Sequence, residues 1–351
     1  MIGSSGFMND GSDGSDGSDG SDGSDGSDGS DGSDGSSAGA GHTSGMMARA
    51  LWTTQGEIVR KITKPTPDLT LTPPGLPAKY DKFERWSKDV RGRMYEFELL
   101  SNLTFDVSSA QKPTLNIPAG GGGDFVLEAP EYEMNDAQHP QPATLQNALE
   151  EVIVKAALRQ DRMAEILTQV NVPYAFFASV LNLQPGRHRF TYEAMSAVFR
   201  CSTVVVMQFK HHWAIRRPAD RSALVQPVLV TPGHGSYPAG HAVQCHFVAA
   251  VLKQLLTDAE KINVGPDAGN PPAATAPNNG NGHMAETGEE LIALADRIGM
   301  NRVIAGLHYV DDLKQGRRLG ERLADYFVFK TKTKGSALNW LWTKATNEQW
   351  R

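Results

Sequence analysis

Three short stretches of this 351-residue sequence collect side chains suited to an oxyanion. In "KHHWAIRRP" (210–218), Lys210 and Arg217 stand seven apart, two turns of a helix, so the spacing predicts both cations on one face. Two cations on a face that reads as buried want an anion or acidic partners. A solvated helix end, where Lys and Arg suit the macrodipole, gives the same letters. In "SYPAGHAVQ" (236–244), Pro238 keeps the chain extended and Gly240 lets backbone approach a ligand closely. His241 then falls in the first turn of the following helix, where N–H groups and the dipole attract negative charge. A plain Pro-Gly turn into a helix is the alternative. In "NRVIAGLHYVDD" (301–312), His308 and Asp312 are four apart, so the carboxylate can hold the imidazole in one tautomer. Arg302 precedes His308 by six positions, about 120° round an ideal helix. The two converge only if Arg302 uses its length or the backbone breaks near Gly306. A surface arginine beside a capping His–Asp pair is the other reading.

The elements that must position these groups read as helices. From Ala143 onward apolar residues recur at helical spacing, and "YAFFASVLNL" continues the pattern after Pro173. Residues 192–217 read as one buried helix stopped by Pro218, and 242–256 as a helix that begins at His241's turn. A Pro/Asn/Gly-rich insert covers roughly 264–283, and 286–330 gives two further helices. No β alternation stands out in this half. Upstream, "KPTPDLTLTPPGLPAKY" is extended or turned, 82–100 suits a helix, and "IPAGGGGDF" reads as a flexible loop. The expected fold class is all-α, a helical bundle. Its expected organisation is a disordered tether (1–46), an irregular N-terminal wrap with one or two helices (47–135), the catalytic bundle (136–335) and a C-terminal segment (336–351).

Composition narrows the function classes. Eight Gly-Ser-Asp triplets, Gly11 to Asp34, offer almost no apolar surface to offset ordering entropy, which makes a tether. With the tether's nine Asp set aside, the formal charge of −6 becomes +3 for the rest, too little to argue for nucleic acid. No stretch approaches a membrane span and no secretory signal pattern opens the chain, so a soluble, cytoplasmic protein is expected. Cys201 and Cys245 lie in apolar helical runs and suit a core better than a disulfide. His246, beside Cys245, points about 100° away from it on a helix, which disfavours a shared metal. Trp340, Trp342 and Trp350 read as packing aromatics. His211 and His212 are left unplaced, and homo-oligomerisation is left open.

Taken in order, the three stretches resemble the tripartite motif of the type 2 phosphatidic acid phosphatase/vanadium haloperoxidase superfamily. That motif reads Lys-x6-Arg-Pro, Pro-Ser-Gly-His and Arg-x5-His-x3-Asp. Here it is carried by Lys210 and Arg217-Pro218, by Pro238-Ala239-Gly240-His241, and by Arg302, His308 and Asp312. The resemblance spans roughly residues 140–330 and implies the superfamily's helical bundle. It implies that Lys210, Arg217, Arg302 and the Gly240 amide bind the oxygens of vanadate, or of phosphate in the same site. His308 would be the nucleophile of a phosphohistidine or the single protein ligand to vanadium. His241 would be the general acid/base, and Asp312 would orient His308. Ala239 departs from the motif's serine, and losing such a hydrogen bond to a charged group costs about 1.5–3 kcal/mol. His234, seven before His241, looks like the histidine that algal bromoperoxidases carry near vanadate, although an ordinary loop histidine reads the same. The missing spans argue against the lipid phosphatase branch, and the long N-terminal part is typical of haloperoxidase-like proteins. The expectation is a vanadium-dependent haloperoxidase using hydrogen peroxide, halide (bromide first) and an organic substrate. The alternatives are a soluble acid phosphatase acting on phosphate monoesters and a non-catalytic oxyanion-binding protein.

Overall fold

Apolar positions decide where the chain turns inward, and in the computed structural model most of the buried ones lie on helices. The structure describes residues 83–110, 112–133, 141–171, 173–263 and 281–348, together with Arg49, Thr53 and Trp350. The Gly-Ser-Asp repeat and most of the Pro/Asn/Gly-rich insert lie outside the described residues. Packing separates a larger unit running from Met94 and a smaller one ending at Arg93. In the smaller unit, Phe83 and Trp86 stack with ring centroids 5.0 Å apart, and the Arg91 guanidinium donates to the carbonyl of Phe83 at 3.2 Å.

The helices are α1 (Lys88–Leu100), α2 (Gln141–Lys155), α3 (Arg159–Thr168), α4 (Tyr174–Leu181), α5 (Arg189–Trp213), the single turn α6 (Pro218–Arg221), α7 (Gly240–Asn263), α8 (Asn281–Ile304), α9 (Val310–Thr331) and α10 (Ala337–Thr346). Helix α7 is the centre. Ala242, Val243, Cys245, Phe247, Val248, Val251, Leu252 and Leu255 are all buried, an apolar surface on every side that only a surrounded helix can carry. Helices α5, α8, α9 and α10 pack round it. The fold is the expected helical bundle. Among the described residues no helix is long and apolar enough to cross a membrane.

A small antiparallel sheet, β1 (Thr104–Asp106), β2 (Thr114–Asn116) and β3 (Phe125–Val126), occupies part of the stretch expected to be irregular. Its register puts Phe105, Leu115 and Phe125 in one row. Phe105 and Phe125 meet Phe209 of α5 edge-on at 4.7 and 6.1 Å, so three aromatic rings hold the sheet beside Lys210. The Gly-rich stretch expected to be a flexible loop is the connection between β2 and β3, and it lies on α9. A Cβ on Gly120 would stand 2.6 Å from Phe329. Cys201 and Cys245 are free, buried thiols, each pushed up to about 12 by burial. Trp340 packs edge-on against Phe190, Trp342 donates to Asp258 at 3.2 Å, and Trp350 lies against His188.

The closest approach in the bundle joins α7 to α9. A Cβ at Gly320 would stand 2.5 Å from the Val243 carbonyl oxygen, and one at Gly316 2.9 Å from that of Ala239. Neither carbonyl can move without shifting the helix that begins at His241. Gly320→Ala is therefore expected to lower stability by about 1–3 kcal/mol, as overpacking does. Gly186→Ala, whose Cβ meets nothing within 4 Å, is expected to change it by under about 0.5 kcal/mol. Thermal unfolding of the two variants checks this, and equal melting temperatures would refute it.

Candidate functional site

The first stretch does not form a continuous helix. Helix α5 ends at Trp213, Ala214 turns left-handed (φ 45°), and its N–H returns to the Lys210 carbonyl at 2.9 Å. Arg217 is extended (ψ 160°), as a residue before proline must be, and Pro218 opens α6. The expectation that Lys210 and Arg217 share a helical face is therefore corrected. They converge because the chain doubles back, with the Ser236 N–H bonded to the Ile215 carbonyl at 2.8 Å. In the third stretch the backbone does break at Gly306 (φ 87°), between α8 and α9. His308 stands ahead of α9 rather than on it. Asp312, third residue of that helix, accepts the Tyr309 N–H at 3.0 Å with Oδ2.

These breaks bring the predicted residues round one pocket. Its walls include Lys210, Arg217, His234, Gly240, His241, Arg302 and His308, with Val170, Pro173, Val206, Met207 and Leu307 as apolar lining. Asp312 lies behind His308, while Ala239 is fully buried and gives its N–H to the Asp312 carbonyl at 3.1 Å. His211 and His212 are not among the lining residues; His212 meets the Ala110 carbonyl at 2.9 Å instead. His246 is a core residue, its Nε2 3.1 Å from Asp296.

Three cations line the pocket, and each is at most 3% exposed. Main-chain carbonyls take up much of their hydrogen bonding. Lys210 Nζ donates to Gly235 and Ser236 at 2.7 and 3.1 Å. Arg217 Nε donates to His234 at 3.1 Å and NH1 to Leu307 at 3.1 Å. Its NH1 also stands 3.4 Å from His308 Nε2, and its NH2 3.1 Å from His234 Nδ1. Arg302 NH2 reaches the Ile166 carbonyl at 2.9 Å, while its buried Nε has no partner among the described residues. Burial pushes that guanidinium down to about 10. A buried donor without an acceptor, on a cation, is a place for an anion.

The two histidines differ in what holds them. His308 Nδ1 lies 3.2 Å from both Asp312 Oδ2 and Ser236 Oγ. The carboxylate accepts a hydrogen bond from Nδ1–H, which leaves the lone pair on Nε2, the nitrogen facing Arg217. Asp312 is itself fixed by the Ser236 hydroxyl (2.5 Å to Oδ2) and the Tyr132 hydroxyl (2.5 Å to Oδ1). His241 Nε2 donates to the Gln169 carbonyl at 2.9 Å, which leaves Nδ1 as its other ring nitrogen. Ile166 lies in the last turn of α3 and Gln169 just beyond it, so carbonyls left over at this helix end aim both Arg302 and His241.

Ser236 and Tyr132 were not predicted. Ser236 was visible in the quoted stretch, but nothing in its spacing pointed to Asp312. Tyr132 is 180 residues from its partner and gives no local signal.

The residues present fit an oxyanion. Besides the cations, Gly240 leaves space in the pocket wall, since a Cβ there would meet only Val206, at 3.9 Å. Gly240 also opens α7, where the first N–H groups have no intrahelical acceptor.

Comparison with known proteins agrees in part. Residues 218–334 match the family model described as the VCPO second helical-bundle domain. Among solved structures, the first transmembrane PAP2 type phosphatidylglycerolphosphate phosphatase from Bacillus subtilis is 18% identical over 53% of this chain and 84% of that one, with a TM-score of 0.37, too low to carry an argument. Among curated proteins nothing matches.

Two outcomes are expected. Orthovanadate or phosphate at about 100 times its Kd stabilises the protein by about 2.7 kcal/mol. In Gly240→Ala that ligand shift disappears while unliganded stability holds or rises, because alanine favours the helix by up to about 1 kcal/mol; a retained shift would count against an oxyanion at Gly240. The second outcome concerns pH. Burial, then Arg302, pushes His241 down to about 3, and burial, then Arg217 and Lys210, holds His308 well below its ordinary value. Unfolded histidines take up protons below about pH 6.5 while these do not, so stability present above that pH is lost as it falls toward about 3. Asp312, pushed up by burial, opposes the loss with one group against two. The melting temperature of the unliganded protein should drop on acidification from pH 6.5 to 4.5, with a shallower slope in His241→Gln; identical slopes would refute the assignment.

Proposed function

We propose that this chain, residues 218–334 of which match the model of the VCPO second helical-bundle domain, is a vanadium-dependent haloperoxidase of the type 2 phosphatidic acid phosphatase/vanadium haloperoxidase superfamily. The observation that carries the reading is His308: a neutral imidazole whose Nδ1 is held by Asp312, with Nε2 facing Arg217 in a pocket that Lys210, Arg302, Gly240 and His241 also line. His308 Nε2 would be the one protein ligand to vanadium, and Lys210, Arg217, Arg302 and the Gly240 amide would hold the oxygens. Bound vanadate supplies the activation of hydrogen peroxide toward a halide. Arg217 NH1, now at His308 Nε2, would turn to the anion. His241 would take or return a proton at Nδ1 while Nε2 stays on Gln169. An anion's charge would offset the field of Arg302 and Lys210 and make His241 more basic than in the bare pocket. His234, on the pocket wall against Arg217, supports bromide as the halide.

The same two histidines support a second reading, a soluble acid phosphatase. There the bound ester's charge would let His241 take a proton from solvent at Nδ1; the phosphoryl group would pass from the ester oxygen to His308 Nε2 as His241 gives that proton to the leaving alcohol, and water, its proton returning to His241, would then cleave the N–P bond.

Purified protein before and after orthovanadate separates the readings. Bromination of a dione dye by peroxide and bromide is expected only after vanadate is added. It should be lost in His308→Ala and fall about 10²–10⁴-fold in His241→Ala. Hydrolysis of a chromogenic phosphate ester by the untreated sample, without bromination, would replace the proposal with the phosphatase. Silence in both, with oxyanion binding intact, would leave a binding protein.

A further inference from the structure

The chain from Glu128 to Glu133 reaches the second and third stretches of the site and the helical turn that follows the first. Tyr237, beside Pro238, donates its hydroxyl to the Glu128 carbonyl at 2.7 Å. Arg221, at the end of the turn that Arg217 caps, donates to the Glu133 carboxylate. Between these anchors Tyr132 donates to Asp312 Oδ1 and lays its ring on Tyr309, with centroids 4.2 Å apart and planes tilted by 34°. A single helical turn, Glu131–Glu133, closed by the Glu133 N–H on the Pro130 carbonyl at 2.9 Å, fixes the direction of Tyr132.

Asp312 is fully buried, so solvent has no part in setting the rotation of its carboxylate. Its Oδ2 carries the Ser236 hydroxyl, the Tyr309 N–H and the His308 ring. Its Oδ1 carries Tyr132, and without that bond the carboxylate can pivot about Oδ2 and turn its lone pairs out of line with the His308 ring. We infer that Tyr132 is a positioning residue for His308: its hydroxyl pins Asp312, and the segment 128–133 braces the second and third stretches and the turn α6 that follows Arg217. The brace acts through geometry and touches no ligand. Its consequence for ligand binding rests on the oxyanion reading above, whereas its consequence for the His308 ring does not.

Tyr132→Phe keeps the ring on Tyr309 and removes only the hydroxyl. The full chain, labelled with ¹⁵N, gives the protonation pattern of the His308 ring without ligand, and calorimetric titration with orthovanadate and with inorganic phosphate gives affinity. The wild type is expected to show one tautomer with the proton on Nδ1. Tyr132→Phe should show a mixture, and its oxyanion affinity should fall about tenfold, the lower end of what outer partners of a ligating histidine cost. An unchanged ring pattern and affinity in Tyr132→Phe would overturn the inference. If the wild type binds neither oxyanion, the oxyanion reading fails and the ring spectrum alone decides the role of Tyr132. If Tyr132→Phe loses its folded amide fingerprint, Tyr237→Phe cuts the brace at Glu128 without touching Asp312. A mixed tautomer there supports the brace, and an unchanged one removes it.

Discussion

Lys210, Arg217 and Arg302 are charged groups taken out of water around one pocket, and the local architecture follows from making that tolerable. A buried cation needs acceptors, and carboxylates inside the pocket would cancel the attraction for an anion. The fold uses main-chain carbonyls instead: Gly235 and Ser236 for Lys210, His234 and Leu307 for Arg217, Ile166 for Arg302. Carbonyl dipoles satisfy N–H groups without neutralising the cations, so the pocket keeps its positive field. That field and burial together keep His241 and His308 neutral.

Carbonyls can turn inward only where no helix is using them. The site accordingly sits where helices stop: the left-handed turn at Ala214, the break at Gly306, the leading turn of α7 and the end of α3. Groups from four helix ends then meet round one pocket. The rigid part is the α7–α9 contact, where Gly316 and Gly320 leave no room for a shift between the helix bearing His241 and the helix bearing Asp312. The packed bundle sets distances, and the interrupted backbone supplies the hydrogen bonds.

Much of this was legible in the letters. Helical periodicity found the main helices of the bundle, and the spacing of Lys210, Arg217, His241, Arg302 and His308 picked out residues that line one pocket. The break near Gly306 was legible as one of two ways for Arg302 and His308 to converge, the other being the length of the arginine. The end of α5 was not, since 214–217 is as apolar and basic as the helix before it and only tertiary contacts reverse the chain there. The hairpin was hidden because its strands are two or three residues long, too short for an alternation to show. The acceptors for the cations and for His241 were invisible for a different reason. They are backbone carbonyls, which every residue carries, so residue type holds no record of them.

The two thiols have a consequence for chemical endurance. Peroxide attacks a cysteine through its thiolate, and a thiol pushed up to about 12 is ionised at neutral pH in only about one molecule in 10⁵. Burial therefore makes Cys201 and Cys245 poor targets even though Cys245 lies one helical turn from His241. Met207 is different: its thioether needs no ionisation to react and stands on the pocket wall itself. Among the described methionines Met207 is the most exposed, and its oxidation would set a polar sulfoxide in place of an apolar contact at the pocket while the buried thiols stay reduced.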